Sequence, residues 1–445
     1  MGLCIVVGLN TALYAKSIET TSKITEHSLE NGLKIIIRED HRSPMVMSHI
    51  WYKVGSADEP QHLLGISHVL EHMMFKGTNK VPNNEFTRLS RIYGGTINAA
   101  TSYNYTNYYQ LYPKAYFPMA LELEADRMQN LQLRQQDFEP ELKVVMEERR
   151  QRTDDKPNAK AFERFKWLSF PTSAYRNPII GQMSTLENIT LKDLKDWYES
   201  WYQPNNAVLV IVGDVDTQQA IQEVQKYFAH IPAKTLPQRA SVQEIEHFGY
   251  RHFELYSNVQ IPHLYLAWNT KSIATAQHVN DAYILNIIRS LLDSGINSRL
   301  HESLIRKEQI LTSVSVSYDA YNRGDSLMTI TALPTTQTTL QLAQRSILEQ
   351  IEKLKKEPVS KQELERVKNR FISNLVYNQD NIVTQAKTLG NLAVNNLDPN
   401  LMQQMSQYYE NITPQDIMRV ANQYLIQENL SSMHLLPESL PSIRP

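Results

Sequence analysis

The sequence predicts an α+β protein with largely antiparallel sheets, and three observations lead to this prediction. Several strand-like runs follow one another directly along the chain, as antiparallel strands commonly do. Helical patterns occur in groups between these runs and do not alternate with single strands, as they would in a parallel α/β fold. The second half repeats the same kind of pattern, and 445 residues suit two or more domains with substantial cores.

The first half opens with a predicted hairpin, because Asn31-Gly32 is a turn signal within residues 26–39. A second strand is predicted over residues 45–54. Residues 96–111 are rich in Thr, Tyr and Asn and alternate in character, which predicts one strand with a polar face. The remaining patterns of this half predict helices at about 66–76, 83–91, 114–130, 137–153 and 216–230, a mostly helical stretch over 157–202, and a buried strand within 204–214.

A linker is predicted between the two halves. Residues 231–245 contain two prolines and few apolar residues, which is typical of a connecting segment. The second half then predicts five strands, near residues 248–256, 263–270, 312–321, 326–333 and 430–435. Its helices are predicted at 277–292, 297–307, 337–356, 359–378, 380–394 and 413–424. We therefore expect an N-terminal domain over residues 26–235 and a C-terminal domain over residues 246–445.

The residues with the clearest chemistry are His68, Glu71 and His72, which form a His-x-x-Glu-His pattern inside an apolar helical run. On a helix, His68 and His72 lie one turn apart on the same face, as two nitrogen ligands of one Zn²⁺ ion must. Glu71 lies close enough to take a proton from a water molecule that the ion activates. The alternative is a pair of surface histidines beside a solvated glutamate, but the run is too apolar for a surface helix.

Two neutral imidazoles leave the charge of a metal ion largely uncompensated, so we expect a third, anionic ligand elsewhere. The helix over residues 137–153 is the best source. Glu141 and Glu148 share one face of it, whereas Glu147 lies on the adjacent face. Spacing thus favours Glu148 as the ligand, with Glu141 as a supporting group. An acidic helix that faces solvent, with i,i+4 ion pairs, is the alternative.

Charge and composition argue against a nucleic acid partner and indicate where the protein is located. The 45 Lys+Arg residues balance 47 Asp+Glu residues for a formal net charge of −2, and no basic stripe is present, so we expect no nucleic acid partner. Residues 1–15 resemble a signal segment, with an apolar run and a small-residue end, although a basic start is missing. Cys4, the single cysteine, lies in it, so the mature chain needs no disulfide. We expect a periplasmic or secreted protein with no membrane span in the mature chain.

Together the motifs resemble the pitrilysin-type (inverzincin) zinc metallopeptidases, particularly the bacterial two-domain members similar to the mitochondrial processing peptidase beta subunit. In this family a glutamate follows the His-x-x-Glu-His motif by about 76 residues, and Glu148 follows His72 by 76. Glu141 fills the position seven residues earlier. The further matching segments are Gly94-Gly95, Asn98-Ala99, Thr101, Pro204-Asn205-Asn206, Gly213-Asp214 and Asn297-Ser298-Arg299-Leu300.

The resemblance implies two homologous α/β-sandwich domains, of which only the first carries the metal motif. It implies a zinc-dependent endopeptidase in which His68, His72 and Glu148 hold Zn²⁺ and Glu71 is the catalytic base. The peptide substrate would be held as an added strand by Asn98 and Ala99 in a closed chamber. The alternative is a non-catalytic structural or peptide-binding subunit on the same fold.

One position departs from the family pattern. Members that grip substrate with the second domain often carry an Arg and, seven residues later, a Tyr. Arg306 matches the Arg, but residue 313 is Ser, and Tyr318 is out of register. We therefore expect a heterodimer with a homologous subunit that carries the Arg/Tyr pair, or else a homodimer with a weakened substrate grip.

Overall fold

The computed structural model of the chain describes residues 23–83, 85–246 and 248–438. Within these ranges the strands form one six-stranded sheet from the first half and one five-stranded sheet from the second half. Helices pack on both sheets, so the predicted α+β fold is confirmed. The signal-like segment and Cys4 lie outside the described residues. No described helix is both long enough and apolar enough to cross a lipid bilayer.

The six-stranded sheet has the order β1-β2-β6-β3-β5-β4, so β4 is an edge strand. Only β2 and β6 pair in parallel, and the other neighbours are antiparallel. Its strands are β1 (Ile24–Ser28), β2 (Lys34–Glu39), β3 (Met45–Tyr52), β4 (Thr96–Thr101), β5 (Thr106–Pro113) and β6 (Ala207–Gly213). The helices of this half are α1 (Ile66–Met73), α2 (Glu85–Ile92), α3 (Phe117–Asn130), α4 (Gln135–Arg149), α5 (Pro157–Ser169), α6 (Met183–Leu186), α7 (Leu191–Trp201) and α8 (Thr217–Phe228).

The five-stranded sheet has the order β7-β11-β8-β10-β9, and only its β7–β11 pair is parallel. Its strands are β7 (Arg251–Ser257), β8 (His263–Thr270), β9 (Leu311–Ser317), β10 (Ser326–Pro334) and β11 (Leu430–Pro437). The helices are α9 (Val279–Leu292), α10 (Leu340–Lys356), α11 (Lys361–Asn378), α12 (Ile382–Val394), α13 (Leu401–Glu410) and α14 (Pro414–Tyr424). Two segments are π-helical: Arg150–Asp154 directly follows α4, and His301–Lys307 precedes β9.

Each half contributes one helix to the sheet of the other half. Helix α12 packs on β3 and β6 of the first sheet, and α5 packs on β7, β8 and β11 of the second. Gly390 makes the first contact possible, because a Cβ atom there would lie 2.1 Å from the Trp51 ring. Strand β6 is consequently buried on both faces, and its residues alternate between two apolar cores.

The structure corrects the sequence prediction in two places. The single strand predicted over residues 96–111 is a hairpin, in which Thr101 pairs with Thr106 across a four-residue turn. The turn contains neither Gly nor Pro, and both strands alternate in polarity, so the sequence pattern runs on without a visible break. The prediction also missed α13, whose apolar residues are separated by glutamines.

Candidate metal centre

Helix α1 begins at a backbone position that only glycine tolerates. Gly65 has a φ of 100°, and a Cβ atom there would lie 2.8 Å from the carbonyl oxygen of Ile180. The carboxylate of Glu59 accepts hydrogen bonds from the backbone N–H groups of Gly65 at 2.7 Å and Ser67 at 2.8 Å. These bonds satisfy donors that the first turn of a helix leaves free. The start of α1 is therefore fixed by Gly65 and Glu59.

His68 and His72 leave α1 on the side that faces α4. Their ring centroids are 4.8 Å apart. The opposite side of α1 carries Val69, Leu70 and Met73 into the core of the first half. Apolar packing of that side thus decides the direction in which the two imidazoles point.

Glu148 lies near the end of α4 and brings a carboxylate to the two histidines. Its Oε2 atom is 3.4 Å from Nε2 of His72 and 3.9 Å from Nε2 of His68. Its other oxygen accepts a 2.6 Å contact from Arg152, one turn further along the chain. Glu147, by contrast, is exposed and bonds to Arg150 and Gln151. The structure therefore brings Glu148, and not Glu147, to the histidines.

These three side chains fit a metal ion. The nearest ligand atoms of His68, His72 and Glu148 all lie within 4.8 Å of one another. Two ligand atoms about 2.1 Å from a tetrahedral ion are separated by roughly 3.4 Å, which is close to the separations observed. A carboxylate oxygen and an imidazole lone pair at this distance repel each other unless a cation or a proton lies between them. The pocket thus has the donors and the spacing of a divalent-ion site.

Glu141 holds the ring of His72 in place. Its Oε1 atom lies 2.8 Å from Nδ1 of His72, and its other oxygen pairs with the ammonium group of Lys76. A proton on Nδ1 leaves the lone pair of His72 on Nε2, which faces Glu148. Burial opposes ionisation of Glu141, but the bonds from His72 and Lys76 outweigh it and lower the pKa of the Glu141 carboxyl.

Glu71 is joined to the edge of the sheet. Its Oε2 atom accepts a 2.5 Å hydrogen bond from the hydroxyl of Thr101, at the end of β4. Burial raises the pKa of Glu71, the Thr101 bond and His72 oppose this rise, and the charge of Glu148 adds to it. A carboxyl group with a raised pKa, beside an ion site, suits a residue that accepts and returns a proton.

The two histidines differ electrostatically. Burial lowers the pKa of His68 to about 3, and the charges of His72 and Arg152 add to this effect. Burial also disfavours the charged form of His72, but Glu141, Glu71 and Glu148 outweigh burial and raise its pKa. In the metal-free chain, protons therefore compete with a cation at His72 more strongly than at His68.

Strand β4 separates this cluster from a cleft between the two halves. Asn98 and Ala99 line the cleft, whose volume is about 560 Å³, together with Trp51 and Tyr109 of the first half. Lys387 on α12 belongs to the part of the wall that the second half contributes. The structure thus places the predicted peptide-binding residues on a free sheet edge, next to Thr101 and Glu71.

Arg306 does not join this group. It lies on the π-helical segment His301–Lys307 that packs against β9, and its side chain is exposed. Its charge acts on Glu302 of the same segment. Tyr318 lies five residues beyond Ser313, the position at which the family carries its tyrosine. Its hydroxyl donates a 2.7 Å hydrogen bond to the carbonyl oxygen of Lys271.

Sequence reasoning missed several residues that support the site. It assigned no role to Glu59, Lys76 or Arg152. Lys76 follows His72 by four residues, so helical spacing alone would have placed it near the same face. Glu59 precedes α1 in an irregular segment, and no local pattern identifies it as the group that caps the helix.

Two family models match the chain. The model described as Insulinase (Peptidase family M16) matches residues 34–182, which include the whole cluster around His68. The model described as Peptidase M16 inactive domain matches residues 188–371. The chain belongs to peptidase family M16. The resemblance drawn from the sequence motifs is thus confirmed, and the M16 chain follows the family's two-domain plan.

Full-length relatives support the same assignment. The M16 chain is 29% identical over 450 residues to the zinc protease PqqE of Helicobacter pylori, an alignment that covers 97% of this chain and 98% of that protein. The crystal structure of a protease from Helicobacter pylori matches with a TM-score of 0.87 and 28% identity, and covers 94% of this chain and 100% of that one. The first half of the periplasmic protease PqqL from Escherichia coli has the same fold, with a TM-score of 0.78 and 19% identity over 93% of this chain and 92% of that one.

Proposed function

We propose that this M16 chain is a zinc-dependent endopeptidase in which His68, His72 and Glu148 are the protein ligands of the ion. The observation that carries the proposal is the convergence of two imidazole nitrogens and one carboxylate oxygen within 4.8 Å. Three protein ligands with a remaining open position are the pattern of catalytic zinc sites, whereas structural sites are closed by four. The names of the relatives, which are zinc proteases, point to the same ion.

When bound, a zinc ion polarises a carbonyl group and makes a neighbouring water molecule acidic near neutral pH. Glu71 accepts a proton from the attacking water, whose oxygen forms a bond to the scissile carbonyl carbon. As the carbon–nitrogen bond breaks, Glu71 returns the proton to the leaving amine nitrogen. The hydrogen bond from Thr101 holds the Glu71 carboxylate in position for both transfers.

The substrate is a peptide or an unfolded segment, held as an added strand along β4. This strand is at the edge of its sheet, where main-chain groups can pair with an extended chain. The N–H of Ala99 donates a 2.8 Å hydrogen bond to Oδ1 of Asn98, which an added strand would replace. Asn98 and Ala99 lie on it, beside the cleft between the halves. A peptide paired with β4 passes close to Thr101, and hence to Glu71. Binding through main-chain groups explains why such an enzyme needs an unfolded segment.

We further propose that the chain works in a dimer that encloses the substrate, preferably with a homologous subunit that carries an Arg/Tyr pair. In such a dimer the exposed guanidinium of Arg306 is available to a substrate, but Ser313 supplies no aromatic hydroxyl. The proposed location is the periplasm or the cell exterior, and the fold shared with a periplasmic protease supports this location.

The test is hydrolysis of a quenched fluorescent peptide by the purified chain, alone and with any copurifying partner, before and after treatment with a chelator. We expect chelation to abolish cleavage and added Zn²⁺ to restore it. Glu71→Gln should abolish cleavage and leave the zinc content unchanged, because Glu71 is not a ligand in this scheme. Cleavage that persists in Glu71→Gln or after complete removal of metal would contradict the proposal. Peptide binding without cleavage by the metal-loaded protein would favour the binding-subunit alternative.

A further inference from the structure

A second group of metal-binding side chains lies on the other half of the molecule, between the five-stranded sheet and α10. His252 and Glu254 project from the same face of the edge strand β7, because alternate residues of a strand share a face. Glu254 pairs in register with His434 on the adjacent strand β11. One ligand atom from each of the three residues lies within 4.8 Å of the other two.

Each imidazole uses one nitrogen for a neighbour and keeps the other. Nδ1 of His252 lies 2.6 Å from the hydroxyl oxygen of Ser432. Nε2 of His434 lies 2.9 Å from Oε1 of Gln344 on α10. This leaves Nε2 of His252 and Nδ1 of His434. His434 is only 3% exposed, and its Nδ1 atom is buried without a hydrogen-bond partner in the described part of the chain.

A single hydroxyl group orients the neighbours of both rings. The hydroxyl of Tyr250 lies 2.8 Å from Oγ of Ser432 and accepts a 3.1 Å hydrogen bond from Nε2 of Gln344. Because the amide nitrogen of Gln344 faces Tyr250, its oxygen faces His434 and accepts the proton of Nε2–H. The lone pair of His434 is then on Nδ1, the unpartnered atom. Such outer hydrogen bonds orient metal-binding histidines in known sites.

Alternative uses of these residues leave the buried nitrogen unexplained. A solvated surface pair would account for His252 and Glu254, which are both exposed. It does not account for a buried Nδ1 atom of His434 without a partner, which costs free energy unless something binds it.

We propose that His252, Glu254 and His434 form a second site for a divalent transition-metal ion, separate from the centre at His68. Two imidazoles and one carboxylate are ligands that suit Zn²⁺, with solvent completing the coordination. The ion joins the edge strand β7 to β11 and, through Gln344, to α10. By linking two neighbouring strands, the ion stabilises the fold at this edge of the sheet. This role follows from the strands that the ligands join, since three protein ligands do not by themselves form a closed structural site.

The test is a count of bound zinc by equilibrium dialysis against Zn²⁺ on the full chain. We expect two ions per wild-type chain, one in His68→Ala and one in His252→Ala. The Glu254→Gln variant should weaken the second site by at least about tenfold. In the His68→Ala background, added Zn²⁺ should raise the melting temperature, and His252→Ala should remove this rise. Co²⁺ in the same background should give the visible absorption of a protein-bound ion.

The controls separate this proposal from the proposed function. His263→Ala removes a half-buried histidine of the neighbouring strand β8, whose Nδ1 is bonded to the carbonyl of Ile261, and should leave two ions bound. Because His252 is exposed, its replacement should not unfold the chain, and circular dichroism verifies this. One ion in both the wild type and His252→Ala, with none in His68→Ala, would overturn the second site and leave the first intact. Full loss of the second ion in His252→Ala with no loss in His68→Ala would support the second site and refute the first.

Discussion

The hydroxyl of Thr101 donates a 2.5 Å hydrogen bond to Oε2 of Glu71. This contact joins the last residue of the edge strand β4 to the helix that carries His68 and His72. A peptide that pairs with β4 is therefore placed relative to Glu71 by the same residue that orients the Glu71 carboxylate. A shift of β4 would therefore also shift the Glu71 carboxylate, and the proposed proton transfer depends on the position of both.

The first prediction concerns this contact. Thr101→Val keeps the shape of the side chain but removes the donor, and a hydrogen bond to a charged group contributes about 1.5 kcal/mol or more. We expect kcat for a quenched peptide to fall about tenfold or more, while zinc content and the melting temperature change little. Thr101→Ser restores the hydroxyl and should recover most of kcat. Equal losses in the Val and Ser variants would show that the hydrogen bond does not matter.

The second prediction distinguishes two adjacent glutamates. Glu148→Gln removes the anionic donor at the cluster, so in the His252→Ala background, which lacks the second proposed site, we expect zinc occupancy after dialysis to fall to a small fraction of the value for His252→Ala alone. Glu147→Gln is the matched control, since Glu147 is exposed on the same helix and, within the described part of the chain, bonds to Arg150 and Gln151 and not to the histidines. It should retain full occupancy. Unchanged zinc in Glu148→Gln, measured by atomic emission, would remove Glu148 from the ligand set.

The third prediction concerns Glu141, which bonds to Nδ1 of His72 at 2.8 Å. Loss of such an outer carboxylate typically lowers metal affinity by about 10- to 100-fold. We expect this decrease for Glu141→Gln in a competition titration with a zinc chelator. Lys76→Met tests whether the ion pair with Lys76 accounts for the effect, and it should lower affinity less. Glu139→Gln, an exposed change on the same helix, serves as the neutral control.

The cluster around His68 could be predicted from the sequence because most of its residues are close together in the chain. His68, Glu71 and His72 lie on two turns of one helix, where spacing alone fixes their relative positions. Glu148 belongs to another helix, and its choice over Glu147 needed both the helical face and the spacing typical of the family. The structure brings Glu141 to Nδ1 and Glu148 to Nε2 of the His72 ring. Their roles at a bound ion stay predictions.

Other features depend on tertiary contacts and left no pattern along the chain. The β4–β5 hairpin was read as one strand because its turn lacks a residue that breaks the alternation. The exchange of α5 and α12 between the halves depends on contacts such as Gly390 with Trp51, which are far apart in sequence. His252, Glu254 and His434 come from strands about 180 residues apart, so only the parallel pairing of β7 with β11 makes them neighbours.

A polar network also ties the two halves together. Oδ2 of Asp40, just after β2, accepts hydrogen bonds from Arg42 at 2.7 Å and from Gln385 on α12 at 2.8 Å. Arg42 also pairs with Asp380 at 2.9 Å. The bonds from Arg42 and Gln385 outweigh burial and lower the pKa of Asp40 to about 2. The charged form of Asp40 is therefore favoured in the folded chain.

The fourth prediction is that Asp40 makes stability depend on pH in the acid range. Its pKa is near 3.8 when unfolded and about 2 when folded, so its contribution is complete above about pH 4 and is lost as the pH falls towards 2. Because Arg42 is largely exposed, salt screens its charge and reduces the energy of the Arg42–Asp40 ion pair. We therefore expect Asp40→Asn to lower the free energy of unfolding by roughly 1 to 2 kcal/mol at pH 7. The difference should shrink steadily below pH 4.

Urea unfolding of both proteins between pH 7 and pH 2.5 measures this difference. Asp196→Asn, which removes an exposed ion pair, is the control. A deficit that stays constant down to pH 2.5 would show that packing, and not the charge of Asp40, joins α12 to the first half.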